Sequence, residues 1–290
     1  MPSIRLSVLI HAFNEEDQIA DCLASVAWAD EIYLLDSFST DRTAEIVRER
    51  FPSVRIEQRH SLGSAAQKNY GMDRTSHEWV LVVDADERVP PALADEIRRT
   101  LESPRAWGYS IGRRNFVLGE QVRFSGLQND RVTRLFHRRH ARYPNRRVHA
   151  DLVVDGPVLP LQEKFDHYYI RSLEHSVAKM TRYGLWAAAQ LWIDGKRARF
   201  PEIALRPAAR LLRDFVLRQG FRDGVRGLVV VGLHSFYVFW KYARLWEMGL
   251  EQARGVSPAL PPFEHDPAIW RRPWEQAPLE TPDGAASERV

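Results

Sequence analysis

The segment VLVVDADERV, residues 80–89, joins four apolar residues directly to a group of acids. An uninterrupted apolar run of this length is typical of a strand that is buried on both faces of a parallel sheet. Asp84, Asp86 and Glu87 would be costly at the end of such a strand unless they bound something. Because ligands of open α/β sheets bind at the carboxyl ends of the strands, the segment predicts a parallel α/β sheet with an acidic site at that edge.

The residues on either side of this segment alternate between strand and helix patterns. Apolar runs predict strands at 4–10, 32–35, 54–56 and 79–83. Helical periodicities predict helices between or after them, at 19–27, 43–51 and 93–101. Alternation of this kind is typical of a doubly wound sheet with helices on both faces.

The rest of the chain changes character twice. Short strands with basic turns are expected over residues 107–155, and helices over residues 170–250. The tail contains seven of the 17 prolines and is expected to be irregular. We therefore divide the chain into a sheet domain at 1–165, a helical amphipathic region at 166–254 and a Pro-rich tail at 255–290.

Composition narrows the class of protein. The 290 residues are 44% hydrophobic and 27% charged, which is ordinary for a folded domain, and the net charge of +3 gives no reason to expect a nucleic-acid partner. A single cysteine, Cys22, suits a reducing compartment. The N-terminus shows no secretory signal. The longest nearly apolar run, 228–240, is shorter than the roughly 20 residues of a membrane span, so no transmembrane segment is expected.

Polar side chains follow three of the predicted strands and should meet at one edge of the sheet. Asn14 and Glu15 follow the first strand, Asp36 the second, and Asp84 and Asp86 the strand at 79–83. Converging carboxylates repel one another unless a cation or a hydrogen-bonding ligand is present. Alternate acids at a strand end can offer oxygen ligands to Mg²⁺ or Mn²⁺, which often also bind phosphate oxygens. The structural alternatives are turns and helix caps, in particular an Asx-type turn at Asp36.

Four of these segments, taken in order, resemble the glycosyltransferases of family 2. They are SVLIHAFNEEDQI, LLDSFSTDRTAEI, AAQKNYGMD and VLVVDADERV. Two later strings, RLFHRRHARYPNRRVHADLVVDGPVLPL and DHYYIRSLEHSVAKMTRYG, resemble the subgroup that builds the lipopolysaccharide core, whose members include β-1,4-glucosyltransferases. The resemblance extends over roughly residues 5–250 and rests on the ordered set of motifs.

The resemblance implies an A-type glycosyltransferase fold, with a Rossmann-like, mixed nucleotide-binding sheet and a C-terminal helical region that faces the membrane. It implies inverting transfer from a nucleotide-diphosphate sugar, UDP-glucose above all, to a lipopolysaccharide-core or other envelope glycolipid, with Mn²⁺ or Mg²⁺ as cofactor. The residues that it assigns are Asn14 and Glu15 near the nucleotide, Asp36 on the base, Lys68 and Asn69 in the donor pocket, and Asp84 and Asp86 on the metal and diphosphate, with Asp86 as the most direct metal ligand.

The general base is the point at which this chain departs from the family. Relatives usually have Val-His-Glu where this chain has Val148-His149-Ala150, so the customary acid is missing. An inverting reaction needs a group that takes the proton from the acceptor hydroxyl as it attacks. Asp130, Asp151 and His149 are the candidates, and the sequence does not choose among them.

Two basic regions suggest binding surfaces. The arginines of 113–114, 138–142 and 146–147 would suit an anionic acceptor, and the alternative is a surface that only keeps the protein soluble. Between residues 206 and 226, arginines alternate with leucine, valine and phenylalanine, a pattern typical of helices that lie in the interface of an anionic bilayer. The alternative is that these apolar faces pack on the catalytic domain or a second subunit. With the resemblance, the pattern predicts a cytoplasmic protein peripheral to the inner membrane.

Two other functions are compatible with parts of the sequence. A nucleotidyltransferase also combines an α/β sheet with acidic metal ligands, but residues 11–15 lack the glycine and lysine or arginine of a triphosphate-binding loop. A catalytically inactive glycolipid-binding module would explain Ala150. Donor hydrolysis or sugar transfer would distinguish the enzyme from the module.

Overall fold

The structure is a computed structural model that describes residues 4–148 and 150–275. The strands within these residues are β1 (Leu6–Ala12), β2 (Glu31–Asp36), β3 (Arg55–Gln58), β4 (Trp79–Asp84), β5 (Glu87–Arg88), β6 (Gly108–Val117), β7 (Glu120–Val122), β8 (Arg131–His137), β9 (Ala141–Arg142), β10 (Val153–Val154) and β11 (Val158–Ile170). The α-helices are α1 (Ile19–Ser25), α2 (Thr43–Arg50), α3 (Ser64–Arg74), α4 (Pro91–Glu102), α5 (Leu173–Ile193), α6 (Phe200–Leu212), α7 (Gly224–Ala253) and α8 (Pro267–Trp270). A π-helical turn at Arg213–Leu217 and a 3-10 turn at Gly220–Asp223 connect α6 to α7.

A mixed sheet forms the centre of the fold. Its strand order is β3-β2-β1-β4-β8-β6-β11-β5, with β7 paired to β6. Strands β3, β2, β1 and β4 are parallel, whereas β8 runs antiparallel to both β4 and β6. The predicted parallel sheet is therefore confirmed for the first four strands, and the mixed character implied by the family resemblance is confirmed for the whole.

Both faces of the sheet are covered, as the uninterrupted apolar runs require. Along β1, Val8 and Ile10 pack into a cluster with α1 and α4, while Leu9 packs on the opposite side with Met72 of α3. Helix α3 comes very close to the sheet at Gly71, where an added Cβ would lie 2.4 Å from Cδ1 of Leu9. The helix can therefore take this position only with glycine at residue 71.

Strand register brings the predicted polar residues to one edge. In the parallel pairings of β1, Ala12 is opposite Asp36 of β2, and His11 is opposite Asp84 of β4. The ends of these three strands are thus level with one another. The expected convergence of the strand-end residues is therefore a direct consequence of parallel pairing.

The C-terminal half adds a helical layer to the sheet. Strand β11 continues to Ile170, so the sheet extends slightly beyond residue 165. Helices α5 and α7 pack closely at Gly184, where an added Cβ would lie 2.4 Å from Cδ1 of Trp240. The indole N–H of Trp240 donates to the carbonyl of Thr181 at 3.1 Å. The helical region is present as expected, and no helix within residues 4–148 and 150–275 is long and apolar enough to cross a membrane.

The described part of the tail returns to the sheet domain. The backbone N–H of Glu264 donates to the carbonyl of Leu62 at 3.0 Å, and the Glu264 carboxylate pairs with Arg59. Nε of Arg142 donates to the carbonyl of Ile269 at 3.0 Å. The tail up to residue 275 is mostly irregular, with a short helix α8, but it is packed against the loop before α3 and the strand β9.

Candidate active site

Three cations surround Asp84, the last residue of β4. Its Oδ2 accepts from Nη2 of Arg134 and lies 3.4 Å from Nη2 of Arg113, and its Oδ1 lies 3.4 Å from Nζ of Lys68. Burial alone would raise the pKa of Asp84, but Arg134 and Lys68 hold it well below its usual range. Glu87 and Asp130 also pair with Arg113, so it is Lys68 and Arg134 that share the single carboxylate of Asp84 and can take further negative charge at this edge of the sheet.

Glu87 closes the turn that carries the acids. Its side chain is fully buried, with Oε1 accepting from Nε of Arg113 at 2.6 Å and Oε2 accepting from the backbone N–H of Asp84 at 2.9 Å. Both carboxylate oxygens are thus occupied by groups of the protein. Glu87 acts as a structural residue that shapes the turn, and Asp84 and Asp86 remain the acids that face the site.

Asp86 lies between a lysine and a histidine from the later part of the chain. Nζ of Lys179, on α5, donates to Oδ2 of Asp86 at 2.8 Å, and Nε2 of His167, on β11, lies 3.6 Å from Oδ1. Burial would raise the pKa of Asp86, but Lys179 and His167 hold it well below its usual range. The Asp86 carboxylate is therefore ionised, with Oδ2 engaged by Lys179 and Oδ1 facing His167.

A hydrogen-bonded chain connects His167 to Asp130. Nδ1 of His167 lies 2.6 Å from Oδ1 of Asn115, and Nδ2 of Asn115 donates to Oδ2 of Asp130 at 3.2 Å. Because an amide oxygen only accepts, this contact places a proton on Nδ1, so that Nε2 is the ring nitrogen that can bind a cation when it carries no proton. Asp130 is only 22% exposed at its side chain and also lies 3.5 Å from Nη1 of Arg113. Of the three base candidates, Asp130 is thus close to Asp84 and Asp86.

The other two candidates have different surroundings. Asp151 is exposed and makes no hydrogen bond or ion pair with another described residue. Its neighbour Ala150 packs against the apolar cluster on the α3 side of the sheet. His149 lies outside the described residues. Asp151 thus makes no described contact with the residues around Asp84 and Asp86, and the structure does not describe His149.

The expected nucleotide residues lie at the ends of β1 and β2. Asn14 adopts a left-handed backbone conformation with φ of 57°, and its Oδ1 accepts from the backbone N–H of Thr40 at 2.8 Å. Burial, together with the nearby Asp86 carboxylate, raises the pKa of Glu15 to about 7. Asp36 is fully buried and accepts from the N–H and hydroxyl of Ser39, which is an Asx-type turn.

The two expected donor-pocket residues of α3 differ in their roles. Asn69 is fully buried and exchanges two hydrogen bonds with the backbone of Tyr143, at 2.9 and 3.0 Å, so its amide is engaged in holding that segment to α3. Lys68 faces Asp84. Burial and the neighbouring Arg134 lower the pKa of Lys68 to about 8, and burial and Lys68 lower that of His11 to about 4. Near neutral pH, His11 is therefore neutral and Lys68 is still mostly charged.

Arg134, His167 and Lys179 are site residues that sequence reasoning did not single out. All three stand inside the strings that resemble the lipopolysaccharide-core subgroup, and this was the available signal. Conversely, the basic stretches expected to meet an anionic acceptor are largely engaged in internal contacts. Arg113 pairs with Glu87 and Asp84, and a second group of internal pairs joins Arg114 to Asp166, Arg139 to Glu78 and Arg142 to Asp73.

Comparison with known proteins agrees with this arrangement. The model of the family described as glycosyl transferase family 2 matches residues 7–152. The lipopolysaccharide core biosynthesis glycosyltransferase LpsC of Rhizobium meliloti (strain 1021) is 28% identical over 267 residues, which are 90% of this chain and 99% of that relative. An uncharacterized glycosyltransferase of Rickettsia typhi is 28% identical over 266 residues, or 87% of this chain and 90% of the relative. The expected resemblance to the lipopolysaccharide-core subgroup is thus confirmed.

Among solved structures, S. aureus TarS 1-349 in complex with UDP-GlcNAc aligns with a TM-score of 0.45 at 14% identity, covering 90% of this chain and 99% of the other. Glucosyl-3-phosphoglycerate synthase from Mycobacterium tuberculosis, in complex with Mn²⁺, UDP and glucosyl-3-phosphoglycerate, aligns with a TM-score of 0.32 at 23% identity over 39% of this chain and 44% of the other. The family match includes β2 to β9 and the turn with Asp84 and Asp86, and it extends over half of the sequence. The chain therefore belongs to glycosyl transferase family 2 and is a glycosyltransferase enzyme rather than a nucleotidyltransferase.

Proposed function

We propose that this enzyme transfers a sugar, with inversion, from a nucleotide-diphosphate donor to a glycolipid of the lipopolysaccharide core or the wider cell envelope. UDP-glucose is the donor that we favour, on the resemblance to the glucosyltransferase subgroup. The observation that carries the proposal is the convergence of Lys68, Arg113 and Arg134 on Asp84, whose single carboxylate is shared by Lys68 and Arg134. Such a group of cations at the ends of parallel strands is suited to a diphosphate.

The residues around Asp86 fit a divalent metal. Oδ1 of Asp86 and Nε2 of His167 face each other at 3.6 Å, and Asn115 holds the histidine in the tautomer whose Nε2 can bind. Within residues 4–148 and 150–275 there is no group of three or more acidic, histidine or cysteine side chains that could hold a metal. Mg²⁺ or Mn²⁺ commonly binds one or two protein ligands together with substrate phosphates, so the metal would arrive with the donor. When bound, it would offset the charge on the departing diphosphate.

The protein groups act on the two ends of the bond that breaks. Lys68, Arg113 and Arg134 would stabilise the diphosphate as it takes the electron pair of the bond to the anomeric carbon. We infer that Asp130 is the base, because it is the candidate connected to His167 through Asn115. Its carboxylate would accept the proton of the acceptor hydroxyl while the hydroxyl oxygen forms the new glycosidic bond. The proton and the leaving diphosphate thus depart on opposite sides of the sugar.

The acceptor and the location rest on similarity rather than on the donor site. The LpsC relative is named for lipopolysaccharide core biosynthesis and is matched over nearly its whole length. An acceptor of this class is attached to lipid A in the membrane, and a nucleotide sugar is a cytoplasmic metabolite. We therefore propose that the enzyme works on the cytoplasmic side of the inner membrane, as a peripheral protein.

Calorimetric titration tests the donor site directly. The full chain is titrated with UDP, GDP, ADP and CMP, each with Mn²⁺ and again with EDTA. We expect UDP to bind best, and only weakly with EDTA. Asp86→Asn should remove the effect of Mn²⁺, whereas Asp155→Asn, at a half-buried acid that pairs with His140, should not.

The outcomes separate the parts of the proposal. If ADP bound best, the proposed donor would change from UDP-glucose to a sugar carried by ADP, and the proposed donor site would stand. If UDP binding in the Asp86→Asn variant still depended on Mn²⁺, the metal site would lie at other residues. If no nucleotide binds with or without metal, the cations around Asp84 do not form a donor site, and the proposed reaction is wrong.

A further inference from the structure

The connection between α6 and α7 exposes an unusual amount of apolar surface. We call residues 211–228 the α6–α7 junction. Seven of its large hydrophobic side chains are exposed, and the three most accessible are Leu212 at 59%, Leu217 at 74% and Val225 at 77%. Scattered exposed apolar residues are common, but a concentration within one short segment marks a surface that contacts another apolar phase.

The basic and acidic side chains of the same segment lie on opposite sides of it. Its arginines, which include Arg213, Arg218, Arg222 and Arg226, are exposed. Its two acids face the protein. Asp214 is fully buried, and its carboxylate accepts from Nε of Arg210 and Nε of Arg213.

Asp223, the second acid, accepts from the backbone N–H groups of Arg123 at 3.0 Å and Phe124 at 2.8 Å. With both acids turned inward, the charged side chains that the junction exposes are arginines, and they lie beside exposed apolar side chains. Arginines beside exposed leucine, valine and phenylalanine match a bilayer surface with anionic headgroups, because the guanidinium groups can remain at the headgroups while the apolar side chains enter below them.

The inner side of the junction holds the loop that ends at Asp130. Besides the contacts of Asp223 with residues 123 and 124, Nε2 of Gln128 donates to the carbonyl of Arg218 at 2.7 Å. The junction is also linked to the metal side of the site. Nε2 of His234, on α7, lies 2.8 Å from the hydroxyl of Tyr169, which is two residues after His167. The surface is therefore contiguous with the proposed base and not on a remote part of the molecule.

We propose that the α6–α7 junction is the surface by which the enzyme binds a bilayer containing anionic phospholipid, with the loop of Asp130 held next to that bilayer. The amphipathic pattern of residues 206–226 indicated only a general membrane-facing region. The structure narrows this region to a defined surface formed by the π-helical turn and the 3-10 turn between α6 and α7. That the acceptor lies in the same bilayer rests on the proposed function. Binding to the bilayer needs neither donor nor acceptor and can be measured by itself.

The test is co-sedimentation of the full chain with vesicles of phosphatidylcholine alone and of phosphatidylcholine mixed with phosphatidylglycerol. We expect binding only to the mixed vesicles, weakened by salt. Arg226→Glu reverses the charge of an exposed arginine and should reduce binding roughly fivefold or more, since each arginine near an anionic surface contributes about that factor. Leu217→Asp should reduce binding similarly.

Two matched variants serve as controls. Ile193→Asp places the same change at an apolar side chain that is 53% exposed at the end of α5, and Arg48→Glu reverses an exposed charge on α2. Both should bind vesicles like the unmodified chain, and all four variants should keep their affinity for UDP, which shows that they are folded.

Absence of binding to the mixed vesicles would overturn the proposal, as would equal losses in the junction and control variants. The proposal would also be overturned if the junction were instead the contact between two copies of the chain. In that case Leu217→Asp would convert a dimer into a monomer in size-exclusion chromatography without changing vesicle binding. Vesicle binding without any UDP binding would leave the surface intact and remove the proposed reaction alone.

Discussion

Nζ of Lys179 donates to Oδ2 of Asp86 at 2.8 Å, across 93 residues of sequence. Asp86 belongs to the part of the chain that matches the family model, whereas Lys179 lies on α5, beyond that part. The Asp86 carboxylate is the main cause of the raised pKa of Lys179, and Lys179 in turn lowers the pKa of Asp86. The helical region thus completes the charge balance of the site.

Replacement of Lys179 should make the protein depend more on metal. Lys179→Met leaves the Asp86 carboxylate without its cation, which we expect to lower the free energy of unfolding by about 1–3 kcal/mol in EDTA. This is less than the roughly 3–5 kcal/mol of a fully buried pair, because the lysine side chain is 36% exposed. Mn²⁺ with UDP should recover more stability in the variant than in the unmodified chain, as measured by denaturant unfolding. Lys196→Met, at an exposed lysine, is the control, and equal gains in all three proteins would contradict the prediction.

Asp130 and Asp151 can be separated by kinetics. Asp130→Asn should lower kcat by about 10²–10⁴-fold, the usual contribution of a positioned base, with little change in UDP affinity. Asp151→Asn should leave kcat nearly unchanged, because the exposed Asp151 has no described partner in the site. Sugar transfer and UDP titration are measured on both variants. The reverse pattern, with Asp151→Asn inactive, would assign the base to Asp151.

The lowered pKa of Lys68 predicts how donor binding depends on pH. An anionic diphosphate favours the protonated amine, and this form is lost as the pH rises through about 8. UDP affinity should therefore fall above that pH, by up to about tenfold per pH unit. Lys68→Arg keeps its charge and should bind UDP almost independently of pH over the same range. Titration calorimetry on both proteins provides the comparison, and an equal decline in the two would show that another group titrates.

Removal of the Asp84 carboxylate should leave Lys68 and Arg134 without their acidic partner. Asp84→Ala leaves Lys68, Arg113 and Arg134 with one fewer counter-charge, and we expect the free energy of unfolding to fall by about 3–5 kcal/mol. UDP with EDTA should then raise the melting temperature more in the variant than in the unmodified chain, because the diphosphate supplies negative charge. A smaller rise in the variant would mean that the three cations do not meet the diphosphate.

Gly71 predicts a purely structural effect. In Gly71→Ala the new methyl group would lie 2.4 Å from Cδ1 of Leu9, so α3 must move away from β1. Overpacking of this kind costs about 1–3 kcal/mol. Gly249→Ala, in α7 where nothing lies near the added Cβ, should be neutral or slightly stabilising. Urea unfolding of the two variants measures the difference, and equal stabilities would show that α3 can shift without cost.

Local patterns were sufficient for the parallel half of the fold. The apolar runs at 4–10, 32–35 and 79–83 correspond to β1, β2 and β4, because a strand buried on both faces needs an uninterrupted apolar segment. Parallel pairing then places their carboxyl ends level, so the convergence of Asp36 and Asp84 followed from the order of the elements alone. The amphipathic pattern of 206–226 likewise predicted helices, and it left open whether their apolar faces meet a bilayer or pack on protein.

Only the tertiary structure decided which cations surround the acids and where each base candidate lies. Arg134 reaches Asp84 because β8 runs antiparallel to β4, and Lys179 reaches Asp86 because α5 follows β11 back across the edge of the sheet. The pairing of β8 with β6 also holds Asp130 beside Arg113, while Asp151 remains outside. These contacts join residues that are tens of positions apart. A hydrophobic pattern with a period of two or about 3.6 residues describes a single strand or a single helix. It therefore contains no information about the distance between two such elements.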